Sequence, residues 1–178
     1  MANKINRYRS IAISGQACSG KSTICKFLEE KTGWKHVDVG GEFRKLAVNC
    51  HLEIEQFGSI PETSLRKVDQ EIAQRIAKEF NKIWDGRLVC YLSQPIDSVF
   101  KVYCTAPMEV RAERLSLRER ISIADASRKI MKRDLEEKEV FQSLYSLSDP
   151  YNSKWVDLQL NTVGSPVSLL DQVMKFLN

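Results

Sequence analysis

The sequence has no long apolar run, no block of like charges and no low-complexity segment. Its 178 residues are 43% hydrophobic and 28% charged, with a net charge of +4, a balance typical of one ordinary folded domain. No apolar segment approaches the roughly 20 residues that a membrane-spanning helix needs. The basic start MANKINRYRS also lacks the apolar segment of a secretion signal. We therefore expect a cytoplasmic monomer of one domain, residues 1–178, with no membrane or nucleic-acid partner.

Cysteine is present, but not in the spacing that a zinc site requires. The five cysteines form no C-x-x-C pair, and neither of the two histidines completes a zinc-binding motif with them. A cytoplasmic chain is also not expected to depend on disulfides. The sequence therefore argues against a structural zinc site and against a disulfide framework.

Strand and helix signals alternate along the whole chain. Periodicity and turn residues predict strands over 10–14, 34–39, 87–92, 99–106 and 155–161, and helices over 21–31, 42–49, 63–84, 108–120, 122–146 and 165–177. In the last helix, Ser165 is the expected N-cap and Pro166 the first helical residue. Alternation with crossovers of this length predicts a parallel sheet with helices on both faces.

The third strand is predicted from the run RLVCYL, residues 87–92. The amphipathic stretch before it has apolar residues at 65, 68, 72, 76, 80 and 83 and ends at Gly86, which is a helical spacing. RLVCYL is almost wholly apolar, as expected of a parallel strand that is buried on both faces. No acidic residue ends this run in the way that a Walker-B aspartate would.

A phosphate-binding motif follows the first strand. Residues 15–22, GQACSGKS, match G-x-x-x-x-G-K-[ST] between a predicted strand and a predicted helix. Glycines allow the tight turn, and loop amides together with the helix dipole favour an anion. We expect Lys21 to bridge the β- and γ-phosphates of ATP and Ser22 to bind Mg²⁺. The predicted nucleotide-binding residues are Gly15, Gln16, Ala17, Cys18, Ser19, Gly20, Lys21, Ser22 and Thr23.

The motif alone leaves several classes of P-loop protein open. No N-K-x-D sequence is present, so a guanine-reading GTPase is disfavoured, and the chain is short for a motor ATPase. Small kinases remain. The predicted fold is α/β: a P-loop NTPase three-layer α/β/α sandwich with a parallel five-stranded sheet.

Most of the chain resembles the cytidylate kinases of the short archaeal type, which are nucleoside monophosphate kinases. The segments that carry the resemblance are AISGQACSGKST, KHVDVGGEFRKLA, VDQEIAQRIA, KVYCTAPMEVRAERLSLRE and IMKRDLEEKEVFQSLYSLSDPYNSKWVDLQLNT. It implies transfer of the γ-phosphoryl group of ATP to CMP or dCMP, with Mg²⁺. It also implies short acceptor-binding helices within about 40–85 and a helical lid over about 118–146.

The resemblance assigns roles to four further residues. Arg44 falls on the arginine that grips the acceptor phosphate, and Asp69 on an acidic position near the acceptor base. Arg118 and Arg133 fall on catalytic lid arginines that close over the transferring group. Each of the four residues also has a purely structural interpretation as a solvent-exposed side chain, because arginines and aspartates on charged helices usually face water.

Three positions depart from the family pattern. An E-G-R-like segment is expected at the end of the third strand, where this chain has residues 90–93, CYLS. Leu65 stands where a second acidic residue is expected, and Val140 where a second lid arginine is expected. Two alternatives therefore stay open: a kinase of a different small-molecule acceptor, and a nucleotide-binding protein that has lost catalysis.

Overall fold

A five-stranded parallel sheet forms the centre of the protein in this computed structural model, which describes residues 7–51, 59–149 and 153–177. The strands lie in the order β2-β3-β1-β4-β5. Their bounds are β1 Ser10–Gly15, β2 Lys35–Asp38, β3 Lys82–Asp85, β4 Val99–Thr105 and β5 Leu158–Asn161. The helices are α1 Lys21–Thr32, α2 Val39–Asn49, α3 Glu62–Lys78, α4 Val89–Leu92, α5 Met108–Glu119, α6 Ile123–Tyr145 and α7 Pro166–Leu177, with a short 3₁₀ helix at Ser153–Trp155.

Helices cover both faces of the sheet because alternate residues of the strands point to opposite sides. Ile11 and Ile13 of β1 pack on one face in a cluster with residues of α1 and α7. Ala12, between them, belongs to the cluster on the other face, together with Ile72 and Ile76 of α3. The predicted α/β/α sandwich with five parallel strands is confirmed.

The predicted start and N-cap of the last helix are confirmed. α7 begins at Pro166, and the Ser165 hydroxyl oxygen accepts a hydrogen bond of 3.3 Å from the Ser168 backbone N–H. The cap satisfies a donor that the first turn of a helix leaves free. Within the described residues, no helix combines the length and apolar character that crossing a bilayer demands.

The predicted third strand is wrong in its position. α3 ends at Lys78, not at residue 84, and the chain turns through Asn81, whose φ is 55°. β3 then occupies Lys82–Asp85, and Trp84 on it is fully buried. The helical spacing of apolar residues continues along the sequence to Phe80 and Ile83, but neither residue belongs to α3. Phe80 is 47% exposed, and Ile83 lies in the sheet.

The run RLVCYL is not a strand. Arg87 and Leu88 form the turn after β3, and Val89–Leu92 is the short helix α4. Val89 and Cys90 are buried, and the Cys90 backbone N–H donates to the Ser14 hydroxyl at 3.0 Å. A short helix enclosed by the core is as apolar as a buried strand, so the pattern alone could not separate them.

We expect Trp84→Ala to reduce the free energy of unfolding by about 3–5 kcal/mol, because it empties a fully buried site on β3. Phe80→Ala is the matched control, four residues away and half-exposed, with an expected change within about 0.5 kcal/mol. Urea unfolding of both variants measures the difference. Equal losses in the two variants would contradict the position of β3.

Candidate functional site

The phosphate loop, residues 15–20, is held by hydrogen bonds to its backbone carbonyls. Arg111 Nε donates to Ala17 O at 2.7 Å, and Arg114 donates from one terminal nitrogen to Cys18 O at 3.2 Å. The Thr162 hydroxyl, after β5, donates to Ser19 O at 2.7 Å. Because the C=O and N–H of one peptide point in opposite directions, the N–H groups of these peptides face away from α5 and β5; that of Ser19 donates to Gln16 O at 3.3 Å. Such a run of amides is an anion-binding arrangement.

Glycine is required at both ends of the loop. Gly15 has φ 154°, and a Cβ there would lie 2.4 Å from Cys104 O. Gly20 has φ 85° and caps the N-terminus of α1, where a Cβ would lie 3.1 Å from the Thr162 hydroxyl. Both positions therefore need the backbone freedom and the missing side chain of glycine.

Lys21 lies at the centre of the loop. Its Nζ donates to Gly15 O at 2.9 Å and to Gln16 O at 3.0 Å. Burial lowers the pKa of Lys21 below its usual value, while the nearby Asp85 carboxylate opposes that shift. Lys21, Ser22 and Thr23 line a cavity of about 890 Å³ on this side of the sheet. The cavity is large and polar enough for the phosphates of a nucleotide, and Lys21 is a partly buried cation in its wall.

Asp85 is a candidate site residue that the sequence did not predict. It ends β3, pairs in register with Asp38 of β2 and Ile13 of β1, and is 4% exposed. Its Oδ2 accepts from the Ser22 hydroxyl at 2.8 Å and lies 3.3 Å from His36 Nε2. Burial alone would raise the pKa of Asp85, but the bonds from His36 and Ser22 and the charge of Lys21 bring it below its usual value.

The expectation that no acidic residue ends the third strand is therefore wrong. A hydroxyl and a carboxylate in contact are hard oxygen ligands of the kind that Mg²⁺ prefers. The signal was present in the sequence as KIWDG, two apolar residues followed by an aspartate and a glycine. The third strand was predicted to begin at residue 87, five residues after its actual start at Lys82, so Asp85 was not assigned to the end of a strand.

The expected departure at residues 90–93 is also wrong. The end of β3 reads Asp85-Gly86-Arg87, which is the E-G-R-like segment with aspartate in place of glutamate. At Gly86 a Cβ would lie 2.8 Å from a methyl group of Val89 and 3.0 Å from Val39 Cβ. The chain can turn there only without a side chain, and the turn carries Arg87 into the site.

A second, smaller cavity of about 60 Å³ adjoins the first. Gly40, Arg87 and Arg133 line both cavities. The other residues that line the second cavity are mostly apolar: Val39, Phe43, Leu88, Val89, Leu92, Phe141 and Leu144. Arg87 and Arg133 therefore lie at the boundary between the large, more polar cavity and the small apolar one.

The two boundary arginines share one buried acid. Glu137 of α6 is 5% exposed, and it forms ion pairs with Arg87 and, at 3.3 Å, with Arg133 Nε. A buried carboxylate needs such partners, because leaving it unpaired is strongly destabilising. Arg87 was not predicted, since its importance depends on where β3 ends.

Asp69 lies in the wall of the second cavity. It is 4% exposed, and its Oδ2 accepts a hydrogen bond of 2.5 Å from the Tyr145 hydroxyl. Burial raises the pKa of Asp69 to about 6, although the hydrogen bond from Tyr145 acts to lower it. Leu65 and Val140, the two departures from the expected polar pattern, belong to one apolar cluster beside this wall.

The three predicted arginines, Arg44, Arg118 and Arg133, line the larger cavity. Arg44, in α2, is exposed and pairs with Asp38, the N-cap of the same helix. Arg118 is on α5, its side chain is 58% exposed, and one terminal nitrogen lies 3.1 Å from Glu119 Oε1. The structure thus gathers Lys21 and the three predicted arginines, with Arg133 the third, around one cavity, and Asp69 around the next.

Comparisons with known proteins show the family and the fold of the chain. The model of the cytidylate kinase-like family matches residues 40–163. The chain is 35% identical over 140 residues to a cytidylate kinase of Pyrococcus abyssi, covering 77% of this chain and 76% of the relative. It is 35% identical over 155 residues to one from Pyrococcus horikoshii, covering 85% and 79%. The solved shikimate kinase of Acinetobacter baumannii superposes with a TM-score of 0.62 at 15% identity, covering 96% and 93%, which supports the P-loop kinase fold.

We expect Asp69→Asn to become progressively more stable than the parent as the pH rises from 4 to 7. The folded pKa of about 6 exceeds the unfolded value of about 3.9, so the parent loses stability as pH rises through this window. The loss amounts to roughly 2–3 kcal/mol, which Asn cannot show because it does not ionise. Urea unfolding of both proteins at several pH values measures this difference.

Tyr145→Phe supplies a second arm of this experiment. It removes the hydrogen bond that lowers the Asp69 pKa, so the window of stability loss should extend to higher pH. A constant difference between Asp69→Asn and the parent at all pH values would show that Asp69 titrates normally.

Proposed function

The chain belongs to the cytidylate kinase-like family, and from that premise we propose that it transfers the γ-phosphoryl group of ATP to a nucleoside monophosphate, CMP or dCMP. The observation that carries this proposal is the pair of adjoining cavities that share Gly40, Arg87 and Arg133. Donor and acceptor phosphates would meet at that boundary. Holding two reactants in line is a large part of what phosphoryl transfer needs from a protein.

On the donor side, the phosphate loop would hold ATP. Amides of residues 15–20 and the Lys21 ammonium would bind the phosphate oxygens. The Ser22 hydroxyl and the Asp85 carboxylate, 2.8 Å apart, are the residues that would hold Mg²⁺. When bound with the nucleotide, Mg²⁺ supplies charge neutralisation on the phosphate oxygens.

On the acceptor side, arginines would bind the monophosphate. Arg87 and Arg133 line the boundary, and Arg44 lies on the cavity wall near Gly40, where a Cβ would be 3.3 Å from an Arg44 terminal nitrogen. Guanidinium groups match a phosphate dianion with two parallel hydrogen bonds. Asp69 would accept a hydrogen bond from an amino group of the acceptor base.

The transfer needs no general base, because the acceptor phosphate is already ionised at neutral pH. Arg87 and Arg133 would donate some of their N–H groups to phosphate oxygens while they stay paired with the buried Glu137, and Arg118 would approach from α5. Positive charge fixed around the transferring group lowers the barrier without further rearrangement. We propose the segment 118–146 as the lid, whose closure would exclude water and limit hydrolysis of ATP.

A second acceptor class is favoured by one observation. The acceptor cavity is mainly apolar, and the neighbouring Leu65 and Val140 pack in an apolar cluster. Tyr145 already occupies one oxygen of Asp69. A monophosphate with a less polar base, or another small acceptor, would lose less hydration on entering such a cavity.

The function is tested with purified protein, Mg²⁺·ATP and a panel of acceptors. We expect ADP release to depend on CMP or dCMP, and to exceed release with AMP, GMP or UMP by tenfold or more in kcat/KM. Release of ADP with another monophosphate or a hydroxyl acceptor, and none with CMP or dCMP, would favour the second class. No acceptor-dependent release, despite tight ATP binding, would contradict both.

Arg87→Met should lower kcat/KM for the acceptor by about 10²–10³-fold, the effect of removing one preorganised charge from a transition state. Arg128→Met is the matched control: the residue is on α6 but exposed, paired only with Asp125 among the contacts described for it, so activity should stay within about twofold. A coupled assay of ADP release measures both.

The single variant also leaves Glu137 with one arginine partner fewer. The double variant Arg87→Met/Glu137→Gln removes that unpaired charge. If its kcat/KM is restored to the parent value, Arg87 is a structural partner of Glu137 and does not bind phosphate.

A further inference from the structure

Three side chains able to bind a metal converge where α1, β2 and β3 meet. Cys25 Sγ, a ring nitrogen of His36 and a carboxylate oxygen of Asp85 all lie within 4.8 Å of one another. Over residues 7–51, 59–149 and 153–177, this is the one group of three such side chains close enough to hold an ion. Cys25, His36 and Asp85 are far apart in the sequence, so the spacing of Cys and His motifs does not reveal a group that the sheet assembles.

The fold positions each member independently. Cys25 follows Ser22 by three residues on α1, so the two side chains lie on one face of the helix. His36 is on β2, and Asp85 is at the end of the neighbouring strand β3. Cys25 is fully buried, Asp85 is 4% exposed, and the His36 side chain is 17% exposed. These are rigid elements, which hold ligands more closely than loops do.

The distances suit a tetrahedral ion after a small movement. Zinc bonds of about 2.0–2.3 Å place neighbouring ligand atoms about 3.3–3.6 Å apart. His36 Nε2 and Asp85 Oδ2 are already 3.3 Å apart. The greatest separation in the group, 4.8 Å or less, needs a contraction of about 1 Å, which a change of the Cys25 rotamer can supply.

We propose that Cys25, His36 and Asp85 form a binding site for Zn²⁺, with water in the fourth position. Binding would release the Cys25 thiol proton to solvent, and the thiolate and carboxylate together would balance the two charges of the ion. A thiolate and an imidazole select zinc-like cations, whereas Mg²⁺ takes oxygen ligands. Asp85 also lines the large cavity, so the ion has a path of entry.

The site would regulate the kinase because it shares Asp85. Zinc ligation would draw the carboxylate away from the Ser22 hydroxyl that it now accepts from at 2.8 Å. This consequence, but not the site itself, rests on the proposed function, in which Ser22 and Asp85 hold Mg²⁺. Zinc would therefore inhibit phosphoryl transfer in competition with Mg²⁺·ATP.

The site is tested by titrating the reduced full-length protein with Co²⁺, without nucleotide, and then displacing Co²⁺ with Zn²⁺. Tetrahedral thiolate ligation gives a sulfur-to-metal charge-transfer band, which we expect at one Co²⁺ per chain. Cys25→Ala should abolish the band, and His36→Leu should weaken Zn²⁺ binding tenfold or more. Cys104→Ala, which removes another fully buried thiol of the same core, is the matched control and should keep the band.

Absence of the band in the parent, or its persistence in Cys25→Ala, would overturn the site, whatever the kinase assay shows. Circular dichroism melts establish that each variant is folded. In the kinase assay, the Zn²⁺ concentration for half-inhibition should rise tenfold or more in Cys25→Ala and stay unchanged in Cys104→Ala. Equal inhibition of the two variants would overturn the regulatory consequence while leaving the cobalt result to stand by itself.

Discussion

Hydrogen bonds from α5 and β5 to the carbonyls of the phosphate loop are the constraint on which the site depends. A loop of small residues with positive φ at Cys18 and Gly20 has no regular structure to fix it. Arg111 and Arg114 bind two of its carbonyls and Thr162 binds a third, and buried carbonyls without such partners would be costly. The loop is therefore shaped before any phosphate arrives, which is the condition for electrostatic stabilisation without rearrangement.

The same contacts connect the phosphate loop to the long helix α6. The Arg111 guanidinium is 3% exposed and bonds both Ala17 O at 2.7 Å and Asp134 of α6 at 2.6 Å. Asp134 is next to Arg133, which lines both cavities, and one turn before Glu137, which lines the smaller one. Because a buried guanidinium must keep its partners, a movement of α6 on acceptor binding would also move Arg111 and, through it, the phosphate loop. One helix thus couples the two halves of the proposed reaction.

The parts of the fold with strong local signals follow from the sequence, and the parts that depend on pairing do not. β1, the position of the motif between β1 and α1, and the Ser165 cap are confirmed because glycine, proline and the apolar period act over a few residues. β3 has four residues, only two of them apolar, and no local pattern distinguishes it from the end of α3. Asp85 and Arg87 were both missed because the boundary between α3 and β3 was predicted in the wrong place. Cys25 and His36 meet because β2 pairs with β3 beside α1, which sequence separation does not reveal.

The buried carboxylate of Asp85 lies within reach of two different sets of possible ligand residues. A carboxylate that is 4% exposed cannot be left unpaired without a large penalty, so Asp85 can give up one partner only if another takes its place. Ser22 and His36 are both within 3.3 Å of its Oδ2, and Lys21 is close enough to lower its pKa. A cation bound with nucleotide phosphates would draw Asp85 toward Ser22, and a cation bound by sulfur and nitrogen would draw it toward Cys25 and His36. The parallel sheet makes this choice possible, because it brings the carboxyl ends of β1, β2 and β3 to one edge.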